Sequence, residues 1–188
     1  MKTLRAAFLE ALVGEDPTRF KFVDETGVNL TYCRRYGRAL AGGRVRQGAP
    51  LHSGASVTVI GALTVKGLEA VMTVEGALNQ EVFATYLDQV LGPTLAAGDV
   101  VVLDNLPVHK VAGMRQRIEA YGARMLFLPP YSPDFSPIEN GWSKLKIWLR
   151  TAQARTREAL SEALQTAVNW ISAQDAQNWF AHCGYHVH

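Results

Sequence analysis

The stretch DVVVLDNLPVHKVAGMRQRIEAYGARMLFLPP, Asp99 to Pro130, holds two apolar runs with a different period between them. Asp99 to Asn105 is almost continuously apolar, the mark of a strand covered on both faces. Val111, Met114, Ile118 and Tyr121 then fall on one helical face, and Gly122 ends that helix. Ala123 to Pro130 supplies a second buried strand. Strand, helix and buried strand in that order predict an α/β fold with parallel neighbours.

Upstream, FKFVDE (20–25) reads as a buried strand ending in two acids, and residues 28–36 alternate loosely, as a further strand would. SVTVIGALTV (56–65) is β-branched and apolar, a clear strand. Lys66-Gly67 forms a plausible two-residue turn into LEAVMTVEG, another strand. Asn79 can cap a helix carrying Val82, Phe83, Tyr86, Leu87, Val90 and Leu91. Downstream, a helix after Pro137 places Ile138, Trp142, Leu145 and Leu149 together. Thr156 starts a last helix with Leu160, Leu164, Ala167 and Ile171 on one side. Leu4, Phe8, Leu9 and Leu12 give a short amphipathic helix at the start. The predicted organisation is a lead-in helix in 1–19, one α/β domain in 20–175 and a lightly packed tail in 176–188.

The 188 residues suit one domain with a sizeable core. A 48% hydrophobic and 19% charged composition fits a globular chain. The net charge of +2 is too small to establish a polyanionic partner by itself. Two distant cysteines make no disulfide framework, and no apolar run reaches the roughly 20 residues of a membrane span. The expectation is a soluble, cytoplasmic protein without a membrane partner.

Three acids sit where such a fold gathers its sites. Asp24 closes the first strand, Asp104 the fourth, and Glu139 opens the helix after the fifth. Three carboxylates with no cysteine or histidine cluster suit a hard cation such as Mg²⁺ or Mn²⁺, and the expectation is that they converge on one point. Ordinary readings compete. Aspartates are frequent turn formers, and Ser136-Pro137-Ile138-Glu139 matches a capping box with proline at the first helical position. Asp134 is a rival for the third carboxylate.

The blocks FVDETG (22–27), VVLDNLPVHK (101–110) and LPPYSPDFSPIENGWSKLK (128–146) together resemble the three catalytic blocks of DDE transposases. The match is to the mariner-related group found in bacterial insertion sequences. Between Asp104 and Glu139 lie 34 residues, the spacing typical of that group. The resemblance runs from about Phe20 to Arg150. It implies an RNase H-like fold, a five-stranded mixed sheet flanked by helices. It also implies two Mg²⁺ ions, replaceable by Mn²⁺, held by Asp24, Asp104 and Glu139. The implied chemistry is cleavage of transposon-end DNA followed by strand transfer into target DNA, in a homo-oligomeric complex at the bacterial nucleoid. About twenty residues precede the first strand, too few for the end-reading helix-turn-helix modules of full-length relatives, so a separate end-binding half is expected. The alternative is a truncated or domesticated remnant that binds DNA or the full transposase without catalysis.

Between Glu25 and Glu69 the chain has no acid, but it carries Arg34, Arg35, Arg38, Arg44 and Arg46 in a glycine-rich setting. These suit phosphate contact, or equally a solvated hairpin. Lys110 and Lys146 are further phosphate candidates, and Lys146 lies nearer the helical face of Glu139 than Lys144 does. Asn105, His109 and Asn140 flank the acids as orienting partners. Trp142 and Trp148 read as core. His182, Cys183, His186 and His188 match no common zinc spacing.

Overall fold

The computed structural model describes residues 2–52, 54 and 56–186. Five strands form one mixed sheet: β1 (Phe20–Val28), β2 (Val57–Thr64), β3 (Gly67–Glu75), β4 (Val100–Leu103) and β5 (Arg124–Phe127). Their order is β3-β2-β1-β4-β5. β1, β2 and β3 are antiparallel neighbours, whereas β4 runs parallel to β1 and to β5. The tight turn between β2 and β3 uses Val65 and Lys66, and Gly67 takes φ 126° beyond it. That is one residue earlier than expected.

Each central strand feeds two cores, because successive side chains point to opposite faces. Phe20, Phe22, Val100 and Val102 pack beneath three helices: α4 (Ile138–Ala152), α5 (Arg157–Trp170) and α6 (Ala173–His182). Val23, Val101 and Leu103 face α2 (Gln80–Tyr86) and α3 (Met114–Glu119). This two-sided burial explains the unbroken apolar run of β4. Asn79 caps α2 through its side chain at 2.9 Å and Thr156 caps α5 at 3.2 Å, both as expected.

Residues 28–36 do not form a second strand. β1 runs on to Val28, then Asn29 accepts from the Thr31 amide and hydroxyl and turns the chain. Asn and Asp favour such turns because the side chain stands in for a backbone acceptor. Beyond it the segment is irregular, half-buried to Cys33 and exposed from Arg34 to Tyr36.

The C-terminal end is not a lightly packed tail. Ser172 and Asp175 form a reciprocal capping box that starts α6, a helix the apolar periodicity does not predict. Ala176, Phe180, Cys183 and Tyr185 from this end are buried in the main core. Burial pushes the Cys183 thiol up to about 11, the behaviour of an inert core cysteine. His188 lies outside the described residues.

The lead-in helix α1 (Lys2–Glu10) also belongs to that core through Phe8, although Leu4 and Leu9 stay exposed. A single packing unit therefore takes in both chain ends, across the expected boundaries at 19 and 175. No helix among the described residues is long and apolar enough to cross a membrane.

Candidate active site

The parallel register pairs Val23 of β1 with Leu103 of β4. The next residues, Asp24 within β1 and Asp104 just past the end of β4, therefore lie side by side; β1 runs on to Val28, so Asp24 does not close its strand as expected. Glu139 enters from the first turn of α4. All three carboxylates line one cleft of about 500 Å³, walled by Val23, Leu106, Leu128 and the 129–133 loop.

Asp24 is held by Trp142, whose indole N–H donates to Oδ2 at 2.9 Å. The indole lies close against the sheet because Gly61 pairs with Asp24 across β1 and β2. A Cβ at Gly61 would come within 3.2 Å of the Trp142 ring. Burial pushes the Asp24 carboxyl up to about 7, with repulsion from Glu25 and Glu139 adding to it. Asp24 and Glu139 are thus close enough to repel each other.

Asp104 has the opposite electrostatics. Burial alone would raise it, but hydrogen bonds from His109 and the Leu106 amide, with the charge of Lys110, hold it below the usual carboxylate range. His109 Nδ1 stands 2.8 Å from Asp104 Oδ1, and the Leu106 N–H donates to the same oxygen at 3.0 Å. His109 is buried against the Phe83 ring, and its Nε2 lies 3.7 Å from Glu25 Oε2. Both of those atoms are buried without a hydrogen bond. Glu25, on the opposite face of β1 from Asp24, is thus a fourth acid beside the site, one that sequence reasoning overlooks.

Glu139 does not cap its own helix. The helix starts at Ile138 behind Pro137, so Glu139 stands at the second helical position rather than the third. The Ser136 hydroxyl makes no cap there, and the expected capping box does not form. Glu139 makes no side-chain hydrogen bond among the described residues, so its carboxylate is left for the cleft.

Asp134, the rival acid, is engaged elsewhere. Arg5 of α1 donates to both its carboxylate oxygens, at 3.0 and 2.5 Å, and to Ser132 Oγ at 2.9 Å. The same guanidinium lies 4.2 Å over the Phe135 ring, and Phe8 stacks on that ring at 5.5 Å. From the other chain end, Tyr185 donates to the Phe135 carbonyl at 2.7 Å. The loop that leads to Glu139 is therefore braced from both termini.

Other predicted partners are placed differently. Asn105 donates to the Leu128 carbonyl at 2.5 Å, tying the ends of β4 and β5 rather than orienting Asp104. Asn140 makes no hydrogen bond to any of the three acids among the described residues. Lys144 pairs with Asp175 and lies over Trp170, so it faces α6. Lys146 is half-buried with no such partner. Lys110 is exposed near Asp104, 5.6 Å over the Phe127 ring. Arg34, Arg35, Arg38, Arg44 and Arg46 are all exposed, line none of the cleft wall, and make no hydrogen bond or ion pair among the described residues. Trp142 is buried in the core, as expected, and is also a site partner through its indole N–H, a role that sequence reasoning misses. Its place three residues after Glu139 in the same block is the signal that could have found it.

The DDE superfamily endonuclease family matches residues 19–161, more than half of the chain and all three acids. The chain belongs to that family. It is 25% identical over 120 residues to the transposable element Tc1 transposase of Caenorhabditis elegans, covering 62% of this chain and 44% of that protein. Among solved structures, a pre-cleavage Mos1 transpososome superposes with TM-score 0.72 at 14% identity, over 97% of this chain and 58% of the other. The Mos1 catalytic domain bound to raltegravir with Mn gives 0.70 at 11% identity, over 97% and 88%. The fold is thus the RNase H-like fold of the Mos1 transposase catalytic domain. The chain spans about half the length of the Tc1 and full-length Mos1 relatives.

For a DDE endonuclease the three acids would be metal ligands. The donor chemistry fits: three carboxylates share one cleft, one destabilised by burial and by its neighbours, another without any hydrogen bond. They do not stand as a ready-made cluster, since no three His, Cys, Asp or Glu side chains among the described residues are grouped to hold one ion. The expected convergence on a single point is met at the level of the cleft and not at the level of the side-chain positions. Trp142 holds Asp24 and His109 holds Asp104.

Proposed function

We propose that the chain is the catalytic domain of a DNA transposase. It cleaves transposon-end DNA and joins the freed 3′ end to target DNA. The observation that carries this reading is the delivery of Asp24, Asp104 and a hydrogen-bond-free Glu139 into one cleft by two neighbouring parallel strands and a proline-led helix.

Asp24, Asp104 and Glu139 would hold two divalent cations, Mg²⁺ or Mn²⁺. When bound, these would lower the pKa of an attacking water or 3′-OH and stabilise the leaving oxygen. The protein's own part is positional. His109 and the Leu106 amide fix one Asp104 oxygen and leave the other turned to ligand. Trp142 fixes Asp24, and Pro137 sets where α4 begins and so where Glu139 emerges. Lys110 adds positive charge near Asp104, and Lys146 and the five loop arginines would supply phosphate contacts that carry no sequence information. Reading of the transposon ends is assigned to a separately supplied helix-turn-helix region, and the working complex to a homo-oligomer on paired ends.

The test is nicking and joining of labelled transposon-end DNA with Mg²⁺ or Mn²⁺, with the end-binding region supplied. Asp104→Asn should lower the rate by at least about a thousandfold, the scale for losing a group that stabilises transition-state charge. Undiminished cleavage in that variant would sink the reading. DNA binding that survives in all three acid variants, with no cleavage by the wild type, would favour a non-catalytic remnant.

A further inference from the structure

Tyr131 occupies a position that packing does not explain. It is 91% exposed, and it makes no ring contact or hydrogen bond among the described residues. Its backbone has φ 54°, in the left-handed region that residues with a Cβ rarely adopt. Glycine would adopt that conformation without steric cost. The chain instead spends strain to place a large aromatic ring in water, at the rim of the cleft that holds the three acids. Strain retained beside an active site is a pointer to function when the surroundings over-determine it.

The surroundings do so. Pro130 precedes Tyr131 and Pro133 follows two residues on, fixing two φ angles. Ser132 is buried, donates to the Pro130 carbonyl and receives Arg5 at 2.9 Å. Phe135 is clamped by Phe8, Arg5 and Tyr185. Tyr36 is 89% exposed in the arginine-rich segment, but none of these braces reaches it and its φ is not left-handed. Tyr131 is the exposed aromatic whose backbone the surrounding loop holds in place.

We propose that Tyr131 is a stacking platform for a nucleobase of the DNA strand held at the acidic cleft. This rests on the transposase reading above. With the acids and their cations occupied by the scissile phosphate, the base next to that phosphate would meet the apolar rim formed by Pro129, Pro130 and Tyr131. A ring carried on a fixed backbone gives up only side-chain freedom on stacking and accepts any base, because every base offers a π-face. The hydroxyl has no assigned role, so the ring alone should suffice.

The experiment compares the wild type with Tyr131→Gly and Tyr131→Phe. Thermal melting is followed beside binding of a fluorescein-labelled single-stranded oligonucleotide by anisotropy, with Ca²⁺ as a hard, oxygen-liganded stand-in for Mg²⁺. 2-Aminopurine fluorescence in a second oligonucleotide reports stacking. The glycine variant should melt at the same or a higher temperature, bind about tenfold more weakly and lose 2-aminopurine quenching, in line with the loss of one base–aromatic stack. The phenylalanine variant should match the wild type in all three. Unchanged binding in the glycine variant, a lower melting temperature in it, or abolished binding in the phenylalanine variant would overturn the assignment to Tyr131 alone. Absence of DNA binding in the wild type would overturn the underlying reading as well.

Discussion

The 129–137 loop and the 32–56 segment both carry residues assigned to DNA, and the molecule treats them in opposite ways. The first holds four prolines and is gripped by Arg5, Phe8 and Tyr185, residues from the two chain ends. The second holds five arginines without ion pairs among the described residues. Among its contacts are Arg155 donating to the Leu30 and Tyr32 carbonyls and Gly76 donating to Ser56, near its two edges. Positioning a carboxylate for in-line chemistry tolerates errors well under 1 Å. Attracting a phosphate backbone does not need such accuracy, because the interaction is long-ranged and sequence-independent. Order is concentrated where geometry governs the rate, and charge is left loose where it governs affinity.

The largest effect that separates the two is on binding. Replacing Arg34, Arg35, Arg38, Arg44 and Arg46 by Gln should weaken duplex DNA binding by at least about a hundredfold at roughly 0.1 M salt. The slope of log K against log salt should fall by up to about 4, at roughly 0.9 for each phosphate no longer neutralised. The cleavage rate at saturating DNA should be unchanged. A lower rate at saturation with an unchanged salt slope would reverse the roles given to the two segments.

Breaking the brace should have the complementary effect. Arg5→Ala removes the link from α1 to Ser132 and Asp134 and leaves the three acids untouched. The expected result is about a tenfold lower cleavage rate with DNA affinity within about twofold of wild type, the pattern of misplacement rather than weakened binding. Single-turnover rates beside equilibrium titrations measure both. Because the Arg5–Asp134 pair is exposed, thermal stability should change little.

This contrast also explains what the sequence discloses and what it hides. β4 is legible because burial on both faces leaves an unbroken apolar run, and β5 because its Met-Leu-Phe-Leu run is apolar although the strand is a half-buried edge rather than the buried strand expected. Asp24, Asp104 and Glu139 are legible as a set because the block spacing is specific, and the parallel register then puts the two aspartates side by side. The direction of Glu139 is not legible. Ser136 and Glu139 have capping-box spacing, yet the helix begins one residue later than that box requires. Local spacing matches a motif in either register, and only the packed helix decides. The grip of Trp142 on Asp24 is hidden for another reason: it depends on Gly61 of β2, far away in sequence. The α6 helix is obscured by its His- and Cys-containing end, although Ser172-x-x-Asp175 followed by Ala176, Trp179 and Phe180 is a readable helix start.

That helix gives the smallest of the expected effects. Asp175 accepts from the Ser172 amide at 2.9 Å and hydroxyl at 2.6 Å, and pairs with Lys144 of α4 at 2.6 Å. Hydrogen bonds from Lys144 and Ser172 hold its carboxyl at about 2, below its ordinary value. A depressed carboxylate stabilises the folded state at pH above its unfolded pKa of about 4, and that contribution fades as pH falls from about 4 towards 2. Asp175→Ala should therefore cost about 1–2 kcal/mol at neutral pH, the usual scale for a missing cap, or about 5 °C in melting temperature for a chain of this size. The difference between variant and wild type should narrow as pH falls from about 4 to about 2. A gap that stayed constant across that window would show that Asp175 acts through packing rather than charge. The cleavage rate tests whether the back of α4 matters to its front. If α6 merely covers the sheet, the rate at permissive temperature stays at the wild-type value. If the Lys144–Asp175 pair helps hold α4, and with it Glu139, the rate falls along with the melting temperature, and the ordered region around the acids extends from the proline loop through the whole helix behind it.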